Sequence, residues 1–229
     1  MTKYSFSRQH GARPASRAFT LIELLTVISI IGILAGIMIP TIGGVMTRAK
    51  KARSRVTMGQ WANGMELYKS EYGFYAPVDG SYASSGGNPY ILNSQKFAVA
   101  MTGRLIDGTE LPASASTSDK VNNVRKQVFY SITQSELDTE KTPPMLHDAF
   151  GNTEIAVMYD KNGDGLIRVD DVTKAPGVAA VGGGRYTPDV PNDFDLTLGI
   201  HAGVVFYSAG AGNADNSEID ESGAIFSWK

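Results

Sequence analysis

The chain has 229 residues, with 21 basic and 23 acidic side chains, a formal net charge of −2 and no cysteine. The missing cysteines exclude disulfide frameworks and thiolate metal sites. Four basic residues, Lys3, Arg8, Arg13 and Arg17, lie in the first 18; without them the balance is 17 basic against 23 acidic, a poor composition for gripping nucleic acid and a fair one for divalent cations.

The basic leader runs into "AFTLIELLTVISIIGILAGIMIP", Ala18 to Pro40, and from Phe19 to Met46 the only charge is Glu23. About 20 apolar residues suffice to cross a bilayer. A cleaved secretory signal would carry a shorter apolar core, with its small-residue site after it. Here the small-residue junction, Arg17-Ala18-Phe19, comes first, so the apolar helix is expected to stay as an anchor. Flanking charge does not orient it, because Arg48, Lys50, Lys51, Arg53 and Arg55 follow the span as basic residues precede it. A carboxylate at the centre of a spanning helix costs about 2.5–3.5 kcal/mol. Glu23, near one end, escapes part of that by reaching the headgroups. Gly32 and Gly36 have the spacing that lets membrane helices approach closely.

This stretch resembles the N-terminal segment of type IV pilins and type II secretion pseudopilins. The resemblance implies that a prepilin peptidase cuts between Ala18 and Phe19 on the cytoplasmic side and methylates the new amino terminus. Ala18 stands where that family usually has Gly. Glu23 becomes the fifth mature residue and Pro40 the twenty-second, both at family positions. Glu23 is then expected to attract the amino terminus of a neighbouring subunit during filament growth; the structural alternative is an interfacial Glu without a partner.

Beyond Pro40, the residues Val45, Ala49, Ala52, Val56, Met65, Tyr68 and Tyr72 recur mostly at helical spacing. One long helix is predicted from Phe19 to about Tyr72, broken or bent near Pro40 and Gly43-Gly44. Arg48, Lys51, Arg55 and Lys69 fall largely off its apolar stripe and read as a solvated face. The segment "MELYKSEYGFYAP" resembles the major pseudopilin at its helix end. Residues 76–94 and "LPASASTSDKVNN" have loop composition. Ser94 is expected to cap a short helix from Gln95 to about Leu105, with Phe97, Met101 and Leu105 on one face. Residues 124–135 read equally as helix or strand.

Three short runs rich in Val, Ile, Phe and Tyr are predicted strands: Glu154 to Tyr159, Gly203 to Ser208 and Ala224 to Trp228. The expected fold is α+β, with a small antiparallel sheet packed on the long N-terminal helix. Its parts are a leader (1–18), a transmembrane and assembly helix (19–46), an amphipathic helix continuing into the periplasm (47–75) and a periplasmic domain (76–229). "HDAFGNTEIAVMYD" resembles an Asp-Pro-Trp-Gly-Asn segment of the major pseudopilins, with Asp148, Gly151 and Asn152 matching. "YSAGAGNADNSEIDESGAIFSW" resembles their C-terminal strand, acidic loop and final strand. Asp160 to Asp195 reads as an insertion.

"DKNGDGLIRVDD", residues 160–171, has the spacing of a twelve-residue calcium loop. Asp160, Asn162 and Asp164 alternate, Gly165 permits the turn, Leu166 offers its carbonyl, and Asp171 closes the ring where Glu is usual. Its flanks do not read as helices, so it is expected as an EF-hand-like loop attached to a strand. The alternative is a turn whose side chains only bond the backbone. A second acidic loop, Gly212 to Ala224, corresponds to one that binds calcium in the major pseudopilins. That resemblance nominates Asp215, Ser217 and Asp220, with Glu218 and Glu221 as alternatives.

The histidines His10, His147 and His201 are scattered, and neither HExxH nor GxSxG occurs, so no catalytic constellation is expected. The resemblance implies a structural subunit of a type II secretion pseudopilus, held in the bacterial inner membrane with its C-terminal domain periplasmic. Its implied partners are its own copies, the prepilin peptidase, the inner-membrane platform and minor pseudopilins. The alternatives are a type IV (minor) pilin, and a membrane-anchored calcium-binding protein that never polymerises.

Overall fold

The computed structural model describes residues 19–80, 90–112, 123–168, 170–171, 175–190, 192–213, 215 and 217–228; for residues 40–42 it describes the backbone alone. The chain divides into two compact units, Met1–Val45 and Met46–Lys229.

In the first unit the described residues are the start of helix α1, which runs from Leu21 to Tyr72 and ends where its stripe predicts. Where a break or bend is expected, at Pro40 and Gly43-Gly44, the helix is not broken and the backbone is helical through both. Proline removes one donor from the ladder, and the turns on either side carry the helix past it. The side chains from Leu21 to Ile39 are all exposed, over a stretch 19 residues long with mean hydropathy 2.5.

In the second unit the buried stripe of α1 is Ser54, Met58, Trp61, Met65 and Tyr68, rising by three and four residues. This corrects the expected stripe in its first half, for Ala49, Ala52 and Val56 face solvent and Val56 is 60% exposed. The bulkiest apolar side chains decide the face, because burying Trp61 and two methionines removes more apolar area from water than burying alanines. Trp61 meets Phe97 and Phe206 at ring-centroid distances of 5.6 and 5.8 Å, and its indole N–H donates to buried Glu136 at 3.0 Å.

Helix α2 spans Ser94–Thr102. Its cap is Asn93, whose side chain accepts the Lys96 N–H at 3.0 Å, and not Ser94. The Ser94 hydroxyl accepts the Leu146 N–H at 2.9 Å instead. The helix stops at Gly103, which takes φ +69°, three residues before the expected end. A Cβ there would lie 2.7 Å from the Lys126 Cα, so the close approach itself requires glycine. Phe97 and Met101 are buried as expected, but Ile106 takes the core place assigned to Leu105. Residues 124–133 adopt neither regular form, with Phe129 and Tyr130 donating to the Met101 carbonyl, and a 3₁₀ turn follows at Gln134–Glu136.

The strands are β1 (Leu137–Asp138), β2 (Met145–Leu146), β3 (Ile155–Tyr159), β4 (Val178–Ala179), β5 (Arg185–Tyr186), β6 (Val204–Ser208), β7 (Glu218–Ile219) and β8 (Ile225–Phe226). The three predicted strands form the central antiparallel sheet β3-β6-β8, with Val157 opposite Phe206 and Tyr207 opposite Phe226. Every residue of β3 and β6 is buried, because the sheet is covered on both faces. Ile155, Val157, Phe206 and Ile225 join the core under α1 and α2. Ala156, Met158, Val205, Tyr207 and Phe226 point into a second core with Tyr186, Phe194 and Ile219. The chain between β3 and β6 supplies part of that cover, and its strands β4 and β5 form a separate sheet with β7, in which β5 and β7 run parallel.

The two cores hold tyrosines whose hydroxyls titrate late. Burial pushes Tyr68 up to about 12 from its ordinary 10.0, and it pushes Tyr75, Tyr130, Tyr159, Tyr186 and Tyr207 further upward. A raised folded-state value stabilises the fold fully below the unfolded value and less as pH climbs through the folded one. These six of the ten tyrosines are therefore expected to give their tyrosinate absorbance only together with the loss of far-UV ellipticity, above pH 10. Tyrosinate absorbance exceeding that of the other four tyrosines before any loss of structure would overturn this.

Candidate functional site

The first site is the start of α1. Thr20 precedes the first helical residue, and its hydroxyl and backbone N–H donate to one Glu23 carboxylate oxygen at 2.8 and 2.9 Å. The Glu23 N–H returns to the Thr20 hydroxyl at 3.3 Å. This is a reciprocal capping box, and its signature, Thr-x-x-Glu ahead of an apolar run, stands in the sequence unread above. Thr26 and Ser29 donate to carbonyls of their own helix, so the polar side chains of this segment are satisfied locally. Phe19 is 82% exposed and lies outside the helix. Ala18 lies outside the described residues, and of Pro40 only the helical backbone is described.

The second site is the loop after β3. Its end carboxylates, Asp160 and Asp171, are each 2% exposed. Asp160 accepts the N–H groups of Gly163 at 2.6 Å and Gly165 at 2.9 Å, one on each oxygen. Asp171 accepts those of Lys161 at 2.8 Å and Arg168 at 3.0 Å. Between them Asn162 accepts from Asp164 and Asp164 from Leu166, both at 2.9 Å. The side chains of Asp160, Asn162 and Asp164 thus close a ladder of turns on the loop's own backbone, with Asp160 buried and Asn162 and Asp164 exposed. Gly163 and Gly165 take φ +81° and +84°, the left-handed turns that let the chain fold round its own side chains. Ile167 and Ile200 exchange both backbone hydrogen bonds, at 2.9 and 3.0 Å, which anchors the far side of the loop in the second core.

Hard oxygen donors at positions 160, 162, 164 and 171, with the Leu166 carbonyl, fit calcium rather than a softer metal. The two nearly fully buried carboxylates are held by backbone N–H groups, and Asp160 also has the Lys69 ammonium 4.0 Å from one oxygen. Asp164 is turned away, 4.0 Å from the Arg168 guanidinium, and among the described residues no three acidic or imidazole side chains form a ready-made cage. Each accepting oxygen keeps a second lone pair for a metal.

The acidic loop before β8 is arranged differently. Asp215 accepts the Ser217 N–H at 3.0 Å; Asp220 accepts the Ser222 hydroxyl at 2.7 Å and the Gly223 N–H at 2.9 Å. Those bonds hold both carboxyls below the usual carboxylate range. Lys51 of α1 donates to the Ser222 carbonyl. Asp215 and Asp220 thus each close a turn of their own, and the Ser217 hydroxyl accepts the Asn213 amide at 3.1 Å.

Residues 13–39 match the family model of the prokaryotic N-terminal methylation motif. The match takes in Ala18, Phe19 and Glu23, and the chain carries a prepilin-type N-terminal motif. No curated protein and no solved structure matches the chain.

Proposed function

We propose that this chain is a pilin-type structural subunit, cut by a prepilin peptidase between Ala18 and Phe19, methylated at Phe19 and polymerised through its N-terminal helix. The observation that carries this reading is the methylation motif over residues 13–39, coincident with an exposed apolar helix whose one acid is Glu23. Apolar helices that face lipid in the free subunit find one another in a filament, where close packing replaces lipid contact. Among such subunits the reading favoured is the pseudopilus of a type II secretion system, assembled on its inner-membrane platform with minor pseudopilins. Support comes from "HDAFGN" and the strand–acidic loop–strand ending, which resemble the major pseudopilins. A type IV minor pilin, serving adhesion or motility, is the nearest rival.

Mass spectrometry of the native protein tests the processing step, with an N-methylated Phe19 terminus expected; an intact leader or an unmethylated end would overturn it. Immunogold labelling of sheared filaments, with secretion assayed in a deletion strain, separates the two assemblies. Secretion lost with surface piliation intact supports the pseudopilus, and the reverse supports the pilin.

The loop at 160–171 is proposed as a calcium site, with Asp160, Asn162, Asp164, the Leu166 carbonyl and Asp171 as ligands. Bound there, calcium would fix the turn by offsetting its buried charge. Titration calorimetry of the full chain in detergent is expected to give a calcium heat that Asp160→Ala removes and Asp220→Ala leaves intact. Equal heats from all three proteins would remove the assignment. A calcium site without polymerisation would leave the membrane-anchored calcium-binding protein as the surviving reading.

A further inference from the structure

One side chain faces the calcium loop from α1. The Lys69 ammonium lies 4.0 Å from a carboxylate oxygen of Asp160, whose side chain is wholly buried, while that of Lys69 is 31% exposed. The same ammonium donates to the Tyr75 hydroxyl at 3.2 Å and sits 4.3 Å from the centre of the Tyr75 ring. Tyr75 in turn donates to Glu66, one turn back on α1, at 2.8 Å. The corner is closely fitted: a Cβ on Gly203 would overlap the Tyr75 hydroxyl and the Glu66 carboxylate, and the Gly203 carbonyl accepts the Asp160 N–H at 2.8 Å. Glu66, Tyr75, Lys69 and Asp160 thus form one connected chain from the helix to the first residue of the loop.

The other cations nearby are engaged elsewhere. Lys161 holds its ammonium over the rings of Tyr90 and Tyr159, at 5.1 and 5.5 Å, and Arg168 faces Asp164. Among the described residues, Lys69 is therefore the cation that faces Asp160. It also borders a cleft of about 420 Å³, lined by Tyr75, Tyr159 and the loop residues 160–163.

We propose that Lys69 is a tethered counter-cation of the calcium loop: it balances the Asp160 charge in the empty loop, and calcium binds only by displacing that balance. This rests on the loop being a calcium site. A monovalent charge next to a divalent ion repels it, and at separations of about 5 Å the interaction is large enough to move affinity by about tenfold even with strong screening. Displaced from Asp160, the ammonium also shifts over the Tyr75 ring, so calcium occupancy is reported at the end of α1. The loop and the helix are coupled through one charge.

The test is calcium titration of the full chain in detergent, comparing the wild type with Lys69→Gln and Lys69→Arg. Affinity is followed by calorimetry, and the tyrosine environment by ultraviolet difference spectra. Lys69→Gln is expected to bind calcium about tenfold more tightly and to lose most of the calcium-induced tyrosine difference, while Lys69→Arg keeps the wild-type affinity. Equal affinities in all three proteins, with calcium heat present, would overturn the counter-cation and leave the loop assignment standing. Absence of calcium heat in every protein would overturn both. Weaker binding by Lys69→Gln would make Lys69 a support of the loop and also overturn the proposal.

Discussion

Glu23→Ala is expected to leave membrane insertion intact and to lower incorporation into filaments at least about tenfold, measured as the ratio of subunit in sheared filaments to subunit in membranes. The proposed ion pair with a neighbour's amino terminus would be large: at an effective dielectric of about 20, opposite charges 4 Å apart attract by about 4 kcal/mol, and a buried filament core would screen little. Insertion is spared because removing a carboxylate only makes the span more apolar. The alanine also deletes the capping box with Thr20, worth about 1 kcal/mol to the helix start. Glu23→Gln separates the two effects, since glutamine serves a capping box as well but carries no charge. Both variants are expected to fail in assembly. Normal incorporation of Glu23→Gln would assign the residue to capping alone and sink the ion-pair account.

Asp148→Ala is expected to destabilise the second unit by about 3–5 kcal/mol, seen as a lower midpoint in urea followed by tryptophan fluorescence. Asp148 is buried and accepts four hydrogen bonds: the N–H groups of Phe150 and Asn152 on one oxygen, the Asn152 amide and the Ser208 hydroxyl on the other, all at 2.7–2.9 Å. Asn152, itself fully buried, continues to the Gly210 carbonyl and the Val181 N–H at 2.7 Å each. One carboxylate therefore ties the turn before β3 to the end of β6 and to the chain beyond β4. Truncating it leaves buried donors without acceptors, the costly direction of hydrogen-bond loss. Asp148→Asn, which keeps the shape but sets an amide against the Ser208 and Asn152 donors, is expected to cost about half as much. A midpoint unchanged in Asp148→Ala would show that water replaces the carboxylate at no cost.

The same residues show where sequence reading succeeds. Asp148, Gly151 and Asn152 are recognised by resemblance, and the structure supplies their physical role as a buried knot. The strands β3, β6 and β8 announce themselves because each is a short unbroken apolar run bounded by turn residues. What escapes is the pairing of faces. Nothing local in Arg185-Tyr186 or Glu218-Ile219 marks a strand two residues long, which forms only because Tyr186 and Ile219 cover Tyr207 and Phe226. The stripe of α1 fails for the converse reason: small residues at helical spacing resemble a buried face until Trp61 and Met58 outweigh them. The Asn93 cap is missed by one residue, since Asn and Ser are nearly equal caps and only the Leu146 N–H, distant in sequence, decides which side chain is free to serve. The loop at 160–171 is legible in its spacing, whereas the place of Lys69 beside it is not, because Lys69 and Asp160 lie far apart in sequence.

The capping box at Thr20 has a consequence for cleavage. Because the helix begins at Leu21, Phe19 and Thr20 lie outside it, so the residues on the carboxyl side of the proposed cut at the Ala18–Phe19 bond would not have to be melted out of a helix. Had the helix begun a turn earlier, that bond would lie inside a hydrogen-bonded ladder and need melting first. A cut there would also place a fresh ammonium just ahead of a helix start, where the backbone dipole repels positive charge. The Glu23 carboxylate already turns back to that end. The nascent terminus would therefore be electrostatically tolerated within its own subunit, and each neighbour that arrives would inherit a carboxylate oriented in advance.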